Sequence, residues 1–231
     1  MNKIQKVKSI SFWIFIVPFI AINTCLVLIN QFHSLFPNAE DIVHNSLLPY
    51  LDGSLSISRT ARPYPNWLIF KPAMFLTSFL LIRYWYYSKD IIILFNKNHK
   101  NLKKIIFFGV GSAIALTVHS IFLGIKFDND LYKLFRRIIM FVFIVFEITA
   151  QAYLVATIYS FKDKIIKYIN IKILKIKLVL VSLLILVALI AIPIISFPGN
   201  NFKFLKHALE WNYFLGVIIF YLLTHLMWKK N

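Results

Sequence analysis

Residues 178–195 read LVLVSLLILVALIAIPII, a run without one formal charge and with Ser182 as its only polar side chain. A soluble helix keeps a polar face for water, and this run has none. Wound as a helix it is about 27 Å long, close to the ~30 Å hydrocarbon core of a bilayer. Working outward, five more apolar runs follow the same rule: Phe12–Leu28, Trp67–Tyr87, Ile105–Ile125, Ile138–Tyr159 and Glu210–Met227. Backbone polar groups in lipid must be satisfied within their own segment, so each run is expected to be a helix. The expected fold is all-α: an integral membrane bundle of six transmembrane helices, one domain over residues 1–231.

Composition agrees. Hydrophobic residues make up 59% of the chain and charged ones 15%, too apolar for a soluble domain of this size. The net charge of +17 would suit a nucleic-acid partner if it sat in a basic arm, but it sits between the spans, so no nucleic acid is expected. One set of alternate gaps, including Lys3, Lys6, Lys8, Lys97, Lys100, Lys103, Lys104 and the lysines from Lys162 to Lys177, holds about twice as many basic residues as the other set. The other set holds Arg59, Arg62, Lys126, Lys133, Arg136, Arg137, Lys203 and Lys206. The richer side is expected to be cytoplasmic, with both termini there, in a plasma or inner membrane. All five tryptophans fall near span ends, where the headgroup layer favours amphipathic rings. The first run outlasts an ordinary signal core and lacks a small-x-small cleavage site, so it is expected to be a retained span. Cys25 is the lone cysteine, and no intrachain disulfide can form.

Two connections stand out. Gln31–Asn66 is the longest, and its Leu47, Leu48, Tyr50, Leu51, Leu55 and Ile57 are too apolar to be freely solvated. It is expected to fold over the outer mouth of the bundle. Phe161–Lys177 alternates lysines with isoleucines and is expected to lie at the inner interface. Within the third span, Gly111, Ser112, Ala113 and Ala115 offer a face for close helix packing.

Ionisable groups inside spans cost about 2.5–3.5 kcal/mol each on insertion scales and usually turn inward. His119, Glu147 and Glu210 are of this kind. The topology directs them, with Gln151 one turn from Glu147 and Ser120 beside His119, toward one outward-facing polar cavity, whose mouth Asp128 and Asp130 can reach. Such a set either shares a proton and binds a polar head group, or serves as interhelical hydrogen bonds worth about 0.6 kcal/mol each. His33, His44, His119 and His207 show no HxxxH or HxxEH spacing, so no metal is expected. No phosphate-binding glycine loop, G-x-S-x-G elbow or paired-cysteine motif is present, and no cofactor is expected.

The run Leu55-Ser56-Ile57-Ser58-Arg59-Thr60, followed by Pro63, Pro65 and Ile69-Phe70, closes the long loop just before the second span. It resembles the "S-I-S" segment with trailing prolines of the DRAM/FRAG/Sfk family of six-span proteins. Glu210-Trp211 is similar to the Glu-Trp pair that opens that family's last span, and His119 resembles a histidine of its third. The family includes autophagy modulators, GPI-anchor lipid-remodelling proteins and the amino-terminal domain of yeast cell-wall-biogenesis ceramide remodellers. The resemblance implies membrane lipid or glycolipid as the partner. The leading expectation is therefore a protein that binds lipid or helps remodel it at the outer leaflet, with Arg59, Arg62, His119, Glu147, Gln151 and Glu210 lining the head-group cavity. The alternatives are an intramembrane acyltransferase or hydrolase with His119 as base, and a small transporter with Glu147 as proton carrier.

Overall fold

The computed structural model describes residues 2–36, 48–97, 99–125, 129–196 and 202–229. Six long helices carry the fold: α1 (Asn2–Gln31), α4 (Asn66–Phe95), α5 (Leu102–Phe122), α6 (Asp130–Ser160), α8 (Ile171–Ser196) and α9 (Lys203–Met227). All six are long and apolar enough to cross a membrane. A 3-10 turn (His33–Leu35), α2 (Pro49–Asp52) and α3 (Ile57–Ala61) lie in the first long connection, and α7 (Lys162–Ile165) follows α6. No strand occurs among the described residues, only an isolated bridge between Ile169 and Trp228. The chain is an all-α, six-helix, multi-pass membrane protein.

The long helices close into a ring in chain order, α1–α4–α5–α6–α8–α9 and back to α1. Alternating direction puts both termini at one end, here called the termini end. The helix ends at residues 31 and 66, 122 and 130, and 196 and 203 lie at the other, the loop end. At the termini end the first and last helices are tied directly. Lys8 Nζ donates to the Trp228 carbonyl at 2.7 Å, and His225 Nδ1 donates to the Lys8 carbonyl at 2.9 Å.

Large aromatic side chains fill the ring's interior. Tyr84 packs edge-on against Trp85 and Tyr221, and Phe220 against Tyr221, with ring centroids 4.9–5.4 Å apart. Outward-facing Ile20, Phe79, Phe107, Phe141, Leu183, Leu186 and Leu189 are exposed, as expected for a surface whose solvent is lipid rather than water. The small-residue face of α5 does bring helices close. A Cβ on Gly109 would lie 2.3 Å from the Trp85 ring of α4, and one on Gly111 would lie 2.6 Å from the Phe146 ring of α6. Side-chain volume is missing at both positions because a neighbouring ring occupies it.

Several expectations need correction. Trp85, Trp211 and Trp228 are fully buried core residues, and only Trp13 and Trp67 are exposed. The apolar windows end near Trp85 and Trp211, but α4 runs ten residues past Trp85 and α9 begins eight residues before Trp211, and sequence position does not say which way a ring points. The helices also outrun their apolar windows: α6 begins at Asp130, so Arg136 and Arg137 are helical residues rather than loop charges. Phe161–Lys177 is not one interfacial loop, since α8 starts at Ile171 and Lys177 lies within it, completely buried. In the first long connection Leu55 and Ile57 are buried, whereas Leu48 and Leu51 remain exposed, Leu51 at 80%. Leu47, Asp41, His44 and Asp128 lie outside the described residues.

Candidate functional site

The first long connection is held to α9 by a set of hydrogen bonds at the loop end. The Trp211 indole Nε1 donates to the Leu55 carbonyl at 2.7 Å, and the Tyr50 ring packs on Trp211 with centroids 4.7 Å apart. Asn212 Nδ2 donates to the Tyr50 carbonyl at 2.6 Å. His207 lies 2.8 Å from the Gly53 carbonyl; a carbonyl only accepts, so Nδ1 carries the proton. The Glu210 carboxylate accepts from the backbone N–H groups of Ile57 and Ser58, the first donors of α3 that helix geometry leaves without partners. Ser56 Oγ takes the next, the Arg59 N–H, at 3.2 Å. The Glu210-Trp211 pair and the Leu55–Ser58 segment therefore meet in space. On the far side Asn66, fully buried, donates to the Cys25 and Thr60 carbonyls at 2.8 and 2.7 Å, tying α1, α3 and α4 together.

This clamp delivers Arg62, the residue that caps α3, onto the end of α5. Gly124 just beyond α5 packs against it; a Cβ there would lie 3.5 Å from the Arg62 carbonyl and 3.8 Å from its Cγ. Tyr132 of α6 donates to the Phe122 and Ile125 carbonyls at 2.8 and 3.2 Å, closing the same helix end. Arg136, one turn on, sets its guanidinium 5.9 Å from the Tyr132 ring centre. His119 sits beneath, buried, within electrostatic reach of both Arg62 and Arg136.

The result is a basic pocket with donors left over. Arg62 Nη2 donates to Ser58 Oγ at 2.9 Å, but Arg62 Nε, Arg136 Nε and His119 Nδ1 are buried without a hydrogen-bond partner. Neither guanidinium has an ion-pair partner among the described residues. Burial pushes the Arg62 guanidinium below its ordinary value, and the charges of Arg136 and Arg59 push it further the same way. An arginine does not give up its proton in response; it remains a cation that a nearby anion would stabilise.

Glu147 and Gln151 belong elsewhere. The Glu147 carboxyl, 1% exposed, accepts from Ser112 Oγ of α5 at 2.6 Å, from Gln151 Nε2 at 2.9 Å and from the Tyr221 hydroxyl of α9. Gln151 Nε2 also reaches the Val217 carbonyl at 3.3 Å. Ser112 is seven residues from His119 on α5, two helical turns or about 10 Å along the axis. Of the six residues read from the sequence, Arg59, Arg62 and His119 gather at the loop end, Glu210 braces the loop they depend on, and Glu147 with Gln151 forms a separate cluster at mid-depth.

Two residues escaped sequence reading. Arg136 counted as a loop charge, although it lies only two residues before the apolar window Ile138–Tyr159, within one helical turn of it. Lys177 looked like the last of a lysine series. Its signal was periodicity: Leu174, Lys177, Val181 and Leu184 follow the 3–4–3 spacing of one helix face, and all four are buried. No family model, curated protein or solved structure matches this chain.

Proposed function

We propose that this protein binds the anionic head group of a membrane lipid in the loop-end pocket of Arg62, Arg136 and His119, with Arg59 at the rim. The observation that carries the reading is the set of three buried, unpartnered ring and guanidine nitrogens with no carboxylate paired to them among the described residues. An arginine fork suits the tetrahedral oxygens of a phosphate, and charge-assisted bonds of that kind are the strong ones. A polar group in a low-dielectric setting without a partner costs about 1–3 kcal/mol, which a phosphate would recover at each donor. A lipid is the natural source, because these residues sit at one end of six helices long and apolar enough to cross a membrane. The lysine-rich termini end is taken as cytoplasmic, which places the pocket at the opposite leaflet. The resemblance of Leu55–Thr60 and Glu210-Trp211 to the lipid-remodelling six-span family points the same way, and binding or accessory remodelling is the role it favours.

The acyl-transfer alternative has less behind it. The nearest hydroxyl in sequence, Ser120 Oγ, is spent on the Leu116 carbonyl at 2.8 Å within its own helix. To test the binding role, the protein is extracted in native nanodiscs and its lipids are profiled by mass spectrometry, alongside the double variant Arg62→Ala, Arg136→Ala. Enrichment of an anionic phospholipid over the bulk membrane is expected, and its loss in the variant. A profile equal to the bulk membrane, or unchanged in the variant, would remove the pocket from consideration.

A further inference from the structure

The middle of the bundle holds two fully buried ionisable side chains that the head-group pocket does not use. Lys177, 0% exposed, donates through Nζ to Thr224 Oγ1 at 2.6 Å and stands 3.9 Å from the Phe220 ring centre. No anion is paired with it among the described residues. Glu147 lies toward mid-depth, and the two are contacted by α9 side chains one turn apart. The Tyr221 hydroxyl bonds to Glu147, Thr224 is one turn further on, and the Tyr84 hydroxyl meets Thr224 Oγ1 at 3.4 Å while its ring packs 4.9 Å from that of Tyr221. Buried polar side chains in lipid surroundings are costly and are associated with ion and proton pathways.

Hydrogen-bond counting adds a second point. Ser112 has a single hydroxyl proton but lies within bonding distance of two acceptors, the Gly109 carbonyl at 2.8 Å and Glu147 at 2.6 Å. Its one proton is therefore shared between the two acceptors or passes from one to the other. Thr224 shows the complementary pattern: its own proton goes to the Phe220 carbonyl at 2.9 Å, leaving its lone pairs for Lys177 and Tyr84.

The route continues in both directions. Toward the termini end, Tyr84, Ser88, Thr224 and Trp228 line a cavity of about 10 Å³, room for roughly one water. The Trp228 indole N–H is buried there without a partner. Toward the loop end, the Tyr213 hydroxyl, also buried and without a partner, lies in the electrostatic neighbourhood of Glu147. One turn beyond Tyr213 on α9 comes Glu210. Polar positions 207, 210, 213, 221 and 224 thus fall three or four apart except where Val217 offers its carbonyl to Gln151 instead, making one stripe down the inner face of α9.

We infer that this stripe, with Glu147 and Lys177 as its two proton-holding stations, conducts protons through the bundle. In each cycle the Glu147 carboxylic acid gives its proton, by way of the hydroxyls between, to the Lys177 amine, leaving a carboxylate and an ammonium. A proton entering from the loop end restores the acid, and one leaving Lys177 into the termini-end cavity restores the amine. The groups that face the pair are Tyr84 from α4, Ser112 from α5, Gln151 from α6 and Tyr213, Tyr221 and Thr224 from α9; none of them is charged at neutral pH. The inference rests on different residues from the head-group pocket and stands or falls without it.

The test uses purified full-length protein in liposomes holding a pH-sensitive dye, with a potassium gradient and valinomycin to drive protons inward. Wild-type vesicles are expected to acidify several-fold faster than protein-free ones, and Glu147→Gln and Lys177→Met to return to the protein-free rate. Leu186→Ala, on the lipid-facing surface, is expected to conduct like wild type. Folding is checked by gel filtration and circular dichroism; should either core variant fail, Tyr221→Phe, which deletes one hydroxyl, takes its place and is expected to slow acidification. Acidification by folded wild type no faster than in empty vesicles would overturn the inference. So would an undiminished rate in a folded Glu147→Gln or Tyr221→Phe.

Discussion

Gly53 ends α2 with φ at +61°, a conformation that costs an L side chain about 1–2 kcal/mol. Conformation is only part of the constraint, because a Cβ on Gly53 would sit 1.7 Å from the Phe204 carbonyl oxygen and 2.6 Å from its carbon. Those atoms are helix backbone and cannot turn aside, so in Gly53→Ala the loop must lift from α9. Lifting breaks the His207 bond to Gly53 and the Asn212 bond to Tyr50, each contributing about 0.5–1.5 kcal/mol. The sum is about 2–5 kcal/mol of local stability. Hydrogen–deuterium exchange in nanodiscs reads this directly: amides of residues 49–61 are expected to exchange on the order of 30- to several thousand-fold faster, up to the limit of the loop's own stability. Gly124→Ala is the control. Its φ of +84° carries the same conformational penalty, but its nearest neighbours would lie at 3.5 and 3.8 Å, so only the ~1–2 kcal/mol strain is expected. Equal exchange in Gly53→Ala and wild type, or equal effects of the two alanines, would show that the loop is not seated on α9 as described.

Other outcomes follow from the same geometry. Glu147→Leu strands the Tyr221 hydroxyl, leaves Ser112 and Gln151 only the Gly109 and Val217 carbonyls, and is expected to lower thermal stability by about 1–3 kcal/mol, whereas Glu147→Gln, which keeps an acceptor, stays within about 1 kcal/mol; a melting series in one detergent compares them. Gly109→Ala forces the Trp85 ring away from α5 and is expected to cost about 1–3 kcal/mol in the same assay. Cysteines at Leu51 and Lys164, exposed at opposite ends of the bundle, are expected to divide under an impermeant thiol reagent on intact cells, Leu51→Cys labelled and Lys164→Cys protected; the reverse pattern would invert the orientation. Burial holds the Tyr50 phenol above its ordinary value of 10.0, outweighing the bond it makes to Asn23. An acid raised in the folded state contributes stability in full below that ordinary value and loses it as pH rises through the raised one, so loop exchange is expected to accelerate only above pH ~10.

Fold and site were unequally legible. The six spans follow from hydropathy alone because lipid leaves the backbone no alternative, and the helices overrun the apolar windows only where charged side chains such as Arg136 extend a helix past the hydrocarbon. Glu147, His119 and Glu210 stood out because an ionisable group in such a run has few bland explanations. What one dimension could not supply was which groups share a depth and a face. Glu147 and His119 lie on different helices of the ring, and only folding shows two turns of α5 between the Glu147 partner Ser112 and His119. The tryptophans mislead for a related reason: Trp85 and Trp211 sit near the ends of their apolar windows yet point inward, Trp211 toward the Leu55 carbonyl. Lys177 hid behind its lysine-rich neighbours, although Val181 and Leu184 on the same face marked it as inward.

Because the ring closes between its first and last members, its assembly has an order. α9 leaves the ribosome after the other five helices, and it alone brings Tyr221 to Glu147 and Thr224 to Lys177. Until then the acidic side chain of α6 has only Ser112 of the preceding helix and its own Gln151 for company, and Lys177 has no hydroxyl to lean on. The α5–α6 hairpin must therefore tolerate the bilayer in a half-finished state, which makes the nascent chain, more than the mature protein, the stage at which insertion factors and quality-control proteases would find this sequence vulnerable.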